Sequence, residues 1–170
     1  MFGLPLHPLV VHFPIVLVIL LPIVAGIALW AIGRGASARR AWLAPLAVGI
    51  ALTVSAFVAV RTGSAQEDRV EHVVPSGSIH VHEEAGERLL VLSGVLVLVA
   101  AAGLAGGTVG RASRLLTTVG AVALVAAGVQ VGHSGGQLVY RDGAASAYVT
   151  GSGASGPGAV DRGEKDAGER

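Results

Sequence analysis

Four long stretches of this 170-residue sequence carry no formal charge, over positions 9–33, 41–60, 89–110 and 115–132. Each is near the roughly 20 residues that a helix needs to cross a hydrocarbon layer about 30 Å thick. A chain so dominated by apolar runs cannot hide all of that surface against itself, and lipid is the solvent that removes the difficulty. Composition agrees: 52% of residues are hydrophobic and 14% charged, whereas a soluble domain carries roughly a quarter charged residues. Aromatics make up only 4%, so the excess is aliphatic and not a large aromatic core. Pro14, Pro22 and Pro45 lie inside the runs; in lipid such prolines kink a helix without ending it, because neighbouring groups satisfy the freed carbonyls. The expected fold is all-α, an integral membrane four-helix bundle over residues 1–150.

The first stretch is N-terminal and apolar, like a secretory signal, but no Lys or Arg precedes it and it is longer than the 7–15 residues of a typical signal core. It reads as a retained span. Residues 151–170 are Gly, Ser, Ala and charged side chains, with Val160 the only large apolar residue. Such a segment cannot offset the entropy of ordering and is expected to be a disordered tail.

The total of 12 basic and 11 acidic residues is nearly balanced, which argues against a nucleic-acid partner. Distribution along the chain is far from balanced. Between the first two spans lie Arg34, Arg39 and Arg40, and between the last two Arg111 and Arg114, with no acid in either connection. By the positive-inside rule these connections face the cytoplasm. Both termini, all 11 acids and all six histidines then belong to the extracytoplasmic side of the plasma membrane. The connection 62–78, with Glu67, Asp68, Glu71, Pro75 and Gly77, reads as a solvated loop.

That topology brings distant histidines to one level. His7 and His12 start the first span, His80 and His82 precede the third, and His133 ends the fourth. Imidazole is a common ligand for metals and for haem iron, and ionisable groups at membrane depth usually face a bundle interior. At 100° per residue His7 and His12 diverge by about 140°, so one of each sequence pair is expected to face a common centre. Pro8 favours a first helical turn and places His7 at the cap, which makes His12 the deeper candidate. His82 is followed by Glu83, Glu84 and Glu87, acids suited to a first turn. Around His133, Gly128, Gly132 and Gly136 recur every four residues and Gly135 adjoins them; such a stripe admits another backbone or a flat ligand. The cofactor-binding candidates are therefore His7, His12, His82, His133, Gly132, Gly135 and Gly136.

The donor set narrows the cofactor. The chain has no cysteine, which excludes disulfides, thiolate-ligated zinc, iron–sulfur clusters and thioether-linked haem. Structural zinc wants four tight ligands, whereas haem b needs one or two axial ligands and an apolar slot. Met1 is the only methionine, so a six-coordinate haem would be bis-histidine. Copper or zinc on His12, His82 and His133, with a carboxylate such as Glu83, stays open. No G-x-S-x-G, H-E-x-x-H or Walker loop is present, which points to an electron-transfer or binding protein more than to an enzyme.

Two segments resemble the opening and closing signatures of a bacterial four-span membrane family, domain of unknown function 2231. They are Leu6-His7-Pro8-Leu9-Val10-Val11-His12-Phe13-Pro14-Ile15 and Gly132-His133-Ser134-Gly135-Gly136-Gln137-Leu138-Val139-Tyr140-Arg141-Asp142-Gly143. A histidine at the start of the third span, matched by His82, is the third landmark. The resemblance covers about residues 4–145 and departs after Gly143, where Ala144-Ala145 replaces a Gly-Val-type ending. Members stand alone or are joined to c-type cytochrome or Rieske modules, which implies electron transfer and a redox partner of either kind. The expectation is a membrane protein that binds haem b through histidines near the outer face and relays electrons, with a non-redox scaffold or transition-metal-binding protein as the alternative.

Overall fold

A computed structural model describes residues 6–149; the tail at 151–170 lies outside them. Among the described residues the chain forms seven helices and no strand: α1 (Leu6–Val10), α2 (His12–Gly33), α3 (Ala38–Ser64), α4 (Glu67–Val70), α5 (Ser76–Ala102), α6 (Gly107–Tyr140) and α7 (Ser146–Val149). Four spans are long and apolar enough to cross a membrane: Leu6–Gly33, which joins α1 to α2, and α3, α5 and α6. The break between α1 and α2 falls at Val11. Pro14 has no N–H to give to the carbonyl of Val10, and the helical ladder loosens there. At Pro22 and Pro45 the helices run on.

The spans pack in a ring, α2 on α3, α3 on α5, α5 on α6 and α6 back on α2, with α1 also against α3. Val18, Leu21, Leu52, Leu89, Ala121 and Leu124 fill the middle, and Ala25, Ala28 and Trp42 form a second cluster towards one end. Large aliphatics such as Val16, Ile27, Leu98 and Val119 remain exposed around the outside. In a soluble protein that surface would drive aggregation; in a bilayer it is the lipid-facing surface. Polar groups in the middle are satisfied within their own helices: Ser93 donates to the Leu90 carbonyl, Thr117 to Ser113, and Thr53 to Gly49.

The helices differ in extent from the uncharged stretches. The third span ends at Ala102, not at 110, and the fourth opens at Gly107, whose φ of +66° is a backbone state that favours glycine. Arg111 and Arg114 consequently ride on the first turns of α6. Arg114 is buried and donates from Nη1 to the Gly103 carbonyl at 2.6 Å, supplying a partner to the open end of α5. Trp42 seals the same end by donating to the Ala100 carbonyl at 2.9 Å. Much of the 62–78 connection is helical: α3 continues through Arg61 to Ser64, and α5 begins at Ser76, six residues before His82. These extra turns carry the polar ends of the helices beyond the apolar layer, and they build the site.

Candidate functional site

The start of α1, the end of α3, the start of α5 and the end of α6 meet at the bundle end opposite Arg34, Arg39, Arg40, Arg111 and Arg114. Two of the six histidines face each other there. The ring centres of His7 and His82 are 6.1 Å apart with planes at 83°.

Each ring is held from the same side of its imidazole. His7 Nδ1 lies 2.9 Å from the Ala59 carbonyl oxygen on α3. A carbonyl only accepts, so Nδ1 carries the proton and the neutral ring keeps its lone pair at Nε2. The Thr62 hydroxyl, 3.4 Å from the same nitrogen, gives its own proton to carbonyls of α3 and reinforces this assignment. His82 Nδ1 lies 3.0 Å from Ser134 Oγ on α6, and that hydroxyl donates to the Val131 carbonyl at 3.1 Å. The serine proton is already committed, so the oxygen accepts from His82 Nδ1–H. Both Nε2 atoms lack a hydrogen-bond partner among the described residues. Every fully buried side-chain nitrogen or oxygen there has one, so neither Nε2 is wholly enclosed.

Glycines make room for the rings. A Cβ on Gly63 would come within 3.1 Å of His7 Cε1, and one on Gly135 within 3.0 Å of His82 Cε1. Both are closer than ordinary carbon contacts of about 3.5–4.0 Å. The imidazoles are seated on bare backbone of α3 and α6.

The remaining candidates lie apart from this pair. His12 is exposed and turns back to the Leu9 carbonyl of its own span. His133 is exposed on α6, and the Gln137 amide donates to its Nε2 at 3.2 Å, engaging the lone pair that a metal would use. His80 is solvated and 3.9 Å from Glu83, and His72 is exposed. A Cβ on Gly132 or Gly136 would meet open space; with His133, Gln137, Tyr140 and Arg141 they line a shallow groove of about 420 Å³ on the outer face of α6. Among the described residues no set of three or more histidine or acidic side chains is placed to hold a bare ion.

Sequence reasoning alone did not single out Ala59, Thr62, Gly63 or Ser134. The first contributes only a carbonyl, which no sequence motif reports, and the next two fall in a segment that reads as loop. Ser134 is next to His133, whose ring drew the attention.

The model of a family described as predicted membrane protein (DUF2231) matches residues 3–147. No curated protein and no solved structure matches the chain.

Proposed function

The chain belongs to the DUF2231 family of predicted membrane proteins, and we propose that in this multi-pass fold His7 and His82 form a bis-imidazole centre for the iron of haem b that relays electrons at one membrane face. The observation that carries the reading is the pair of Nε2 lone pairs left free when both Nδ1 protons are given to protein oxygens. Ligating histidines characteristically donate their other N–H to a carbonyl or similar acceptor, which fixes the tautomer and raises the basicity of the ligand.

His7 and His82, with ring centres 6.1 Å apart, are the residues that would hold the iron between them. The donor set then favours haem over a bare ion. Haem brings four equatorial nitrogens and asks the protein for two axial ligands, whereas zinc wants four from its surroundings. Bound haem supplies one-electron exchange between ferrous and ferric iron. The protein's part is to fix both ligands before loading and to hold them where the polar helix ends meet the apolar layer.

The arginines at the opposite end support an extracytoplasmic position for the pair, within reach of a c-type cytochrome or Rieske-type partner. Expression with ample haem, purification in detergent and an optical spectrum test the proposal. A Soret band lost in His7→Ala and in His82→Ala, and kept in His12→Ala and His133→Ala, is the expected result. Wild-type protein without a Soret band refutes it, and near-stoichiometric copper or zinc in that protein replaces haem by the second reading.

A further inference from the structure

The two imidazoles are held by different means. His7 donates straight to a backbone carbonyl, an acceptor that cannot turn round. His82 donates to a hydroxyl, which can either accept from Nδ1–H or give its own proton to a bare Nδ1. The second arrangement would put the ring proton on Nε2 and remove the lone pair that faces the site. What decides between them is one step further on: the Val131 carbonyl, 3.1 Å from Ser134 Oγ, only accepts and claims the serine proton. Ser134 is 6% exposed, so no stream of water competes for its hydroxyl.

We infer that Ser134 is a positioning residue for His82, whose hydroxyl passes the direction imposed by the Val131 carbonyl on to the imidazole and keeps Nε2 as the lone-pair nitrogen. Its importance for function rests on the reading of His82 as an axial ligand; the hydrogen-bond assignment does not. Removing the hydroxyl leaves His82 only its direct attraction to the Val131 carbonyl, a weaker bias between its two tautomers, while leaving His7 as it is. Metal-ligand histidines deprived of this outer partner typically lose about 10–100-fold in affinity, and the less basic ligand favours ferrous iron.

The test begins with metal-free protein labelled with ¹⁵N-histidine in detergent micelles, where ring nitrogen shifts separate the two neutral tautomers. Wild type is expected to show His82 with the proton on Nδ1, Ser134→Ala a mixture of both, and Ser134→Thr the wild-type pattern, with the His7 signals unchanged as a built-in control for folding. Titration with haemin then gives about 10–100-fold weaker binding in Ser134→Ala, a rise in midpoint potential, and recovery in Ser134→Thr. An unchanged His82 tautomer in Ser134→Ala overturns the inference, as does wild-type haemin affinity and potential in that variant. Failure of wild-type protein to bind haemin defeats the haem centre instead, and the tautomer measurement still decides the role of the serine.

Discussion

Gly135→Ala separates the site from the fold, because the site loses an outer partner while the effects on stability nearly cancel. An added Cβ would lie 3.0 Å from His82 Cε1 and 3.4 Å from Nδ1. Restoring contacts of about 3.5–4.0 Å requires the ring to withdraw by roughly half an ångström. The Nδ1–Oγ bond to Ser134 begins at 3.0 Å and is carried past the working range of such bonds, about 2.7–3.2 Å. Losing it costs about 0.5–1.5 kcal/mol of fold stability and, at a ligand histidine, about 10–100-fold in affinity. The helix gains from the same change, since alanine is favoured over glycine in a helix interior by about 0.5–1 kcal/mol. Haemin titration and thermal unfolding of the same detergent preparation give the two readings side by side. The two effects on the fold nearly cancel, so weaker haemin binding with unfolding shifted by no more than about 1 kcal/mol is expected, and Gly132→Ala and Gly136→Ala, whose added carbons meet open space, keep wild-type affinity. Wild-type affinity in Gly135→Ala together with loss in Gly132→Ala would refute the reasoning and move the site to the groove beside His133.

At the arginine-rich end, Arg114→Leu removes the donor to the Gly103 carbonyl; a bond to a charged group contributes about 1.5–3 kcal/mol, and unfolding in detergent is expected to shift downward by that order with haemin affinity unaltered. Trp42→Phe loses the bond to the Ala100 carbonyl. That oxygen keeps a second donor, the Gly103 N–H at 3.0 Å, so the loss is about 0.5–1.5 kcal/mol before any cavity is counted, again read by unfolding. Orientation is open to chemistry because the chain has no cysteine. Single cysteines at the exposed positions Ser76 and Ser37 are expected to react with an impermeant maleimide from outside the cell and only after permeabilisation, respectively; the reverse pattern inverts the membrane topology.

The four spans were legible because hydrophobicity summed over a whole span outweighs any single residue, whereas the facing of each histidine depends on helical phase, which spacing within one pair does not give. His7 and His12 diverge on any helix, and the choice between them by depth along the span favoured His12. Phase relative to the core decides differently. His7 stands at seven-residue intervals from Pro14, Leu21 and Ala28, all buried; His12 stands seven before Ile19, which is 52% exposed. The same rule sorts the third span: His82 leads, at seven, eleven and eighteen residues, to the buried Leu89, Ser93 and Ala100, while His80 leads to Glu87, Val91 and Leu98 on the exposed side. On α6, Ser134 stands at seven-residue intervals from Ala127, Gly120 and Ser113, which are half-buried or buried, and His133 at the same intervals from Ala126, Val119 and Ala112, all exposed. A heptad step is about two turns, so these stripes keep one side of each helix towards the bundle axis. The sequence therefore held the pairing of His7 with His82 in the phase of its small and aliphatic residues. It did not hold the Ala59 carbonyl or the Ser134 hydroxyl tied to the Val131 carbonyl, which orient an imidazole only when a histidine from another helix is brought against them.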